Sequence, residues 1–265
     1  MTRRRLDTEL VRRGLADSRA QAQDKIDSGL VTVAGSPATK ATTMVADDAP
    51  VALTGESRPF VSRGGGKLKA ALERFALDVG GASCLDAGAS TGGFTDCLLQ
   101  AGAPRVVAVD VGYGQLDWRL RTDPRVVVME RTSVRDLRPQ DLPFAPSFVV
   151  ADLSFISLRL AAGPLAAVSV PEATFVALVK PQFEASPDDV GRGGVVRDPA
   201  VWSGVLAGVT EAFAEAGWGP RAVMASPVLG PAGNVEFLLH SQRGAAGAPP
   251  DPAEAIAEGE RVRGT

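Results

Sequence analysis

Apolar positions near the N-terminus recur at helical spacing. Leu6, Leu10, Val11 and Leu15 predict a first short helix that turns at Gly14. Ser18, with Gln21 three residues on, predicts the start of a second helix whose apolar face is Ala22 and Ile26 and whose end is Gly29. Alternating runs at 30–33 and 50–53, with a turn at 34–37, predict short strands. From Gly81 onward, β-branched runs and helical patterns take turns. Strands are expected at 83–87, 105–109, 126–129, 148–152, 174–179, 222–225 and 235–240. Helices are expected from Gly92, from Ser157 and over 199–216.

This alternation implies an α/β fold, a mainly parallel sheet covered by helices on both faces. The last two strands have no helix between them, so they are expected to pair antiparallel. That outline resembles the class I (Rossmann-like) methyltransferase fold, which is the fold expected. The division expected is 1–57 for a small N-terminal domain, 58–66 for a glycine-rich linker, 67–241 for the large domain and 242–265 for a tail with one short helix near Asp251-Pro252. Within the first domain, Arg5-Leu6-Asp7, Leu10, Gly14-Leu15, Ser18-Arg19 and Gly29-Leu30-Val31-Thr32-Val33-Ala34-Gly35 resemble the S4 RNA-binding domain. The resemblance implies RNA contacts at Arg3, Arg4, Arg5, Arg19 and Lys25, and Arg63 in the linker joins that set.

Composition narrows the function. With 265 residues, 45% hydrophobic and 22% charged, the chain can bury a globular core. The most apolar window, 158–179, contains Arg159, Glu172, Pro164 and Pro171 and suits a bilayer poorly. The N-terminal arginines precede no apolar run, so a cytoplasmic protein is expected. His240 is the sole histidine, which argues against a zinc site or a Ser-His-Asp triad, and no metal is expected. Residues 1–69 carry 12 Lys+Arg against 8 Asp+Glu, while the other 196 carry 16 against 23. A basic head on an acidic body is a nucleic-acid footprint.

The sharpest motif is Leu85-Asp86-Ala87-Gly88-Ala89-Ser90-Thr91-Gly92-Gly93-Phe94, a strand, a turn and a helix start. In the dinucleotide register G-x-G-x-x-G, Ser90 stands where a glycine lets backbone approach a pyrophosphate. Asp86 is also a poor neighbour for a diphosphate. S-adenosylmethionine has no phosphate and carries an ammonium group, so it is the expected cofactor. Asp110, which ends the next strand, can accept its ribose hydroxyls. Cofactor contacts are expected from Asp86, Gly88, Ser90, Thr91, Gly92, Phe94, Asp110, Val111, Ser133 and Asp152.

Only five of the 28 basic residues are lysine, so Lys180 at the end of a buried-looking strand is conspicuous. Lysine can give up its proton when desolvated and arginine effectively cannot, which suits activation of a ribose 2′-hydroxyl. Asp152 ends the neighbouring strand, Glu236 lies among apolar residues and needs a partner, and Lys67 is expected to begin the helix before the first strand. The strings around Ser62-Arg63-Gly64, Leu85 to Thr95, Asp110 to Leu116, Ala151 to Ser157, Leu178 to Glu184 and Gly233-Asn234-Val235-Glu236 resemble the TlyA family of S4-containing rRNA 2′-O-methyltransferases, relatives of the FtsJ group. The resemblance implies a tetrad of Lys67, Asp152, Lys180 and Glu236 acting on cytidine ribose in ribosomal RNA or ribosomal subunits. The arginines ahead of Leu6 and the C-terminal tail point to the subtype that modifies both subunits. Base methylation, a non-catalytic assembly factor and haemolysis are the competing readings. Pyrimidine carbon-5 methylation would need a cysteine nucleophile, and neither Cys84 nor Cys97 is placed at the active end of the sheet.

Overall fold

The computed structural model describes residues 3–27, 29–38, 40–54, 59–245 and 249–264. Residue 58 of the expected linker and the boundary at 57 lie outside them. The chain divides into two compact units, residues 1–63 and 64–265.

The first unit contains β1 (Arg3–Arg5), α1 (Leu6–Arg12), α2 (Arg19–Asp27), β2 (Val31–Val33), β3 (Ser36–Pro37), β4 (Met44–Ala46) and β5 (Val51–Leu53). Leu6, Leu10, Ala22 and Ile26 meet Val31 and Val45 in its core. The reciprocal cap of α2 is displaced by one residue. Gln21 N–H donates to Ser18 Oγ at 3.2 Å, and Gln21 Oε1 accepts from Asp17 N–H at 2.7 Å. The strands form a pair, β1 with β4, and a three-stranded sheet in the order β3-β2-β5. Strand β1 is absent from the sequence reading because three arginines in a row show no alternation. Its backbone pairing with Met44–Ala46 makes the strand.

The second unit holds α3 (Arg63–Arg74), which begins in the first unit's last residue, then β6 (Ser83–Ala87), α4 (Gly93–Gln100), β7 (Arg105–Val109), α5 (Trp118–Arg121), β8 (Val126–Met129) and β9 (Phe148–Ala151). It continues with α6 (Leu158–Val168), β10 (Thr174–Val179), α7 (Pro181–Glu184), α8 (Pro199–Glu215), β11 (Trp218–Ala225), β12 (Phe237–Arg243) and α9 (Ala253–Gly264). The seven strands lie in the order β11-β12-β10-β9-β6-β7-β8. Strand β12 runs antiparallel to both neighbours, and the other pairings are parallel. Phe175 is wholly buried, stacked on Phe213 at 5.0 Å and tilted against Trp218 at 4.9 Å.

Two expected boundaries move. Residues 63–66 form the first turn of α3 rather than linker, and Lys67 lies inside that helix, because the apolar face of Leu68, Ala71 and Leu72 is buried over three turns. The tail is not an appendage. Gln242 and Arg243 complete β12, and α9 packs back on the sheet. Glu258 accepts the Ala225 N–H at 3.1 Å, and Arg74 bridges to Glu254 at 2.8 Å. Gly259 sits so close that a Cβ would lie 2.7 Å from Val235 Cγ1. Gly259→Val therefore overpacks this contact and lowers unfolding free energy by about 1–3 kcal/mol in urea titration. An unchanged midpoint would mean that the helix contributes nothing to the core.

Candidate active site

Strand register assembles the site. Ala87, Ala151 and Ala177 stand side by side across β6, β9 and β10, so Gly88, Asp152 and the end of β10 share the carboxyl rim of the sheet. On the other side of β10, Val179 pairs with Phe237. Continuing that antiparallel ladder by one step sets Lys180 opposite Glu236. In open α/β sheets this rim is where ligands bind.

The rim groups form two ion pairs. Lys180 Nζ lies 2.6 Å from Asp152 Oδ1 and donates to Ser154 Oγ at 2.9 Å. The approach to Asp152 is off-axis for a hydrogen bond, but at that separation the Coulombic attraction holds, and lone-pair directions on Oδ1 stay open. Lys67 Nζ and a Glu236 carboxylate oxygen form the second pair, with both side chains buried. Removing one partner of such a buried pair strands a charge and costs about 3–5 kcal/mol. The four predicted catalytic residues thus lie along one rim as Asp152–Lys180 and Glu236–Lys67.

The glycine loop differs from expectation at three positions. Phe94 is 3% exposed and faces the core rather than solvent. Gly92 is closed over by Leu116 and Leu120. Asp86 is fully buried beneath the loop, where Thr95 Oγ1 donates to its Oδ2 at 2.6 Å and Oδ1 has no hydrogen-bond partner. Burial pushes the Asp86 carboxyl up to about 7, with smaller contributions from the charges of Asp152 and Asp110. The motif marks the strand-to-helix turn but does not reveal which side chains face inward. Gly88, at φ +86°, is required by packing, since a Cβ there would lie 2.6 Å from the Asp152 carbonyl oxygen. Ser90 and Thr91 remain accessible at the tip.

Asp110 is half-buried, with each carboxylate oxygen held by one backbone donor: Ser90 N–H at 2.8 Å and Gly112 N–H at 2.6 Å. Its remaining lone pairs stay available to hydroxyls. Val111 beside it is 72% exposed, an uncovered apolar face, and Ser133 is half-buried just beyond β8. The carboxylates of Asp110 and Asp152 lie in electrostatic reach of one loop with the acid of Asp86 beneath it, and both Asp86 and Asp152 have an oxygen without a hydrogen-bond partner. This set repels a diphosphate and suits a cationic ligand. The residues fit S-adenosylmethionine.

Several contributors escape the sequence reading. Phe155 adopts φ +63°, is 92% exposed, and lies 5.3 Å from the Phe183 ring, itself 5.9 Å from Lys180 Nζ. Asn234 accepts the Val196 N–H at 2.9 Å and donates to the Gly194 carbonyl at 2.8 Å, fixing the segment before Glu236. Cys84 and Cys97 are buried, and burial pushes both thiols up to about 12, which leaves no thiolate nucleophile.

In the first unit, the predicted RNA contacts divide. Arg3 and Arg5 are exposed in β1. Arg5 at 2.8 Å and Arg19 at 2.9 Å share buried Asp7, whose carboxyl the two guanidinium groups hold well below its usual range. Buried Glu9 is held down to about 2, chiefly by Arg12 with Arg13. Arg4 pairs with Asp47, and Arg63 opens α3. Lys25 has an internal partner as well. Its Nζ donates to the Leu15 carbonyl at 2.6 Å and thereby ties the turn between the helices.

The fold and rim define a class I methyltransferase with an RNA-binding head. The FtsJ-like methyltransferase profile matches residues 60–243 and the S4 domain profile matches residues 4–49. The chain belongs to the FtsJ-like methyltransferases, in the S4-containing TlyA family. It is 52% identical over 238 residues to the Mycobacterium tuberculosis 16S/23S rRNA (cytidine-2′-O)-methyltransferase TlyA, spanning 89% of each chain. A solved structure from Streptococcus thermophilus that carries a hemolysin name superposes with a TM-score of 0.78 at 39% identity, covering 99% of this chain and 97% of the other. An S-adenosylmethionine-dependent methyltransferase structure from Listeria monocytogenes shares the fold alone, with a TM-score of 0.51 at 15% identity, covering 67% of this chain and 98% of that one.

Asp86 sets a pH dependence. The folded carboxyl keeps its proton to about 7, whereas an unfolded aspartate releases it near about 4. Between those values the folded chain binds more protons, so stability falls as pH rises. Asp86→Asn reduces that slope in denaturation series between pH 4 and 7. An unaltered slope would place the buried acid elsewhere.

Proposed function

We propose that the protein methylates the ribose 2′-oxygen of cytidine in ribosomal RNA of both subunits, in the cytoplasm, with S-adenosylmethionine as donor. The observation that carries this reading is the Lys180 ammonium at the rim, aligned by Asp152 and Ser154 beside the exposed Phe155 ring and its half-buried partner Phe183. The bound cofactor supplies an electrophilic methyl group. Asp110 receives its ribose hydroxyls, Val111 offers an apolar face, and Ser90, Thr91 and Ser133 line the approach. Asp86, from beneath, presents a carboxyl oxygen with no hydrogen-bond partner in the protein.

Lys180 Nζ holds the 2′-hydroxyl in line and takes its proton as the oxygen gains the methyl group. That step requires the ammonium first to release a proton, for which the Asp152 carboxylate at 2.6 Å is the adjacent acceptor. Asp152 and Ser154 fix Nζ, and the Lys67–Glu236 pair braces the adjoining strand end. Phe155, held out into solvent, stacks on an unpaired base next to the target ribose, the mode by which aromatic side chains capture single-stranded RNA. Arg3, Arg4, Arg5, Arg19 and Arg63 meet RNA phosphates, while Lys25 also ties the turn between the two helices. Dual-subunit specificity rests on kinship with the M. tuberculosis relative, which is named for both rRNAs. Haemolysis has less support, since among the described residues no helix is long and apolar enough to cross a membrane.

Lys180→Ala reduces transfer of labelled methyl to rRNA by about 10²-fold or more while calorimetry finds cofactor affinity within a few-fold of the parent. Retained turnover would remove the lysine from the mechanism. Phe155→Ala weakens RNA binding by about 1–3 kcal/mol, seen in filter binding, with cofactor binding unchanged. Equal RNA affinity would rule out the stacking role.

A further inference from the structure

Two segments of the second unit run beside each other at the rim, and they are joined at successive levels. Lys180 contacts Asp152 and Ser154 at the first level. Phe183 meets Phe155 at the second. At the third, Glu184 accepts from Ser157 Oγ at 2.6 Å and from Leu158 N–H at 2.6 Å, with Arg159 Nε a further 3.5 Å contact. The Glu184 side chain is 1% exposed, so these donors are what compensate its burial.

Glu184 is not placed in the reaction, yet its position is demanding. It lies one helical turn past Lys180, in the single turn α7, where Phe183 N–H donates to the Lys180 carbonyl and Ala185 N–H to that of Pro181. Its partners open α6, immediately after the loop that carries Asp152, Ser154 and Phe155. The loop is thereby closed at both ends, by Lys180 at its start and by Glu184 at its finish. Opening the far end frees Phe155, in its left-handed conformation, and loosens the near end.

We infer that Glu184 is a positioning residue for methyl transfer: it clamps the Asp152-bearing loop to the Lys180 segment and so fixes both the amine and the stacking ring. The inference rests on the 2′-O-methyltransferase reading. A misplacement of about 1 Å at a reacting group is enough to cost about 10²-fold in rate.

The test compares the full-length chain with its Glu184→Ala, Glu184→Gln and Ser157→Ala variants, using labelled methyl transfer to rRNA, calorimetric S-adenosylmethionine binding and melting temperature. Glu184→Ala is expected to lose about 10- to 100-fold in kcat with cofactor affinity within about twofold. Glu184→Gln restores most of it, because an amide can accept from Leu158 N–H and donate to Ser157 Oγ. Ser157→Ala falls between. If Glu184→Ala does not fold, Ser157→Ala decides, and an unchanged kcat there overturns the clamp. So does a Glu184→Ala kcat within twofold of the parent. A joint fall of kcat, cofactor affinity and melting temperature in the Ala and Gln variants alike also overturns it, as a stability effect. A parent chain that methylates no ribose overturns the reaction itself, a separate outcome read in the same assay.

Discussion

The contact between the Lys180 ammonium and the Asp152 carboxylate is the constraint around which the methyltransferase unit is arranged. Both groups sit where parallel strands end, and neither could be held there by a loop alone. The strands reach that point because Val149, Val150, Ala151, Ala177, Leu178 and Val179 are buried on both faces of the sheet. Hydrophobic burial fixes the strand ends, and the strand ends fix the charges. The second pair, Lys67 with Glu236, uses the same device across β12, with a helix as the other partner.

The N-terminal unit solves a different electrostatic problem. Its arginines are restrained by two buried carboxylates, Asp7 with Arg5 and Arg19, and Glu9 with Arg12 and Arg13. Each carboxylate is hydrogen-bonded by two guanidinium groups, so under the proposed function Arg5 and Arg19 serve both the fold and the RNA phosphates. Side chains ordered in this way lose less conformational entropy on binding.

Much of this was legible in the sequence, for physical reasons. Strands of the large sheet announce themselves as unbroken β-branched runs, and the rarity of lysine singles out Lys180. The exceptions share one cause: a linear motif carries no information about direction. Phe94 and Asp86 belong to the loop motif, yet one packs into the core and the other lies under the turn. Lys25 reads as a basic surface residue, but its amine serves a backbone carbonyl ten residues away. Strand β1 is invisible in Arg3-Arg4-Arg5, since only its partner strand makes it extended. Phe155 and Glu184 gain meaning from a neighbour nearly thirty residues distant, which no local pattern supplies.

The central claim is that the rim amine serves a sugar hydroxyl rather than a base. Its most direct test is alkaline hydrolysis of rRNA methylated by the pure protein with labelled donor, because a methyl on the 2′-oxygen blocks cleavage at that nucleotide. Label recovered in alkali-resistant dinucleotides is the expected result. Label recovered in mononucleotides would place the methyl on a base and contradict the account.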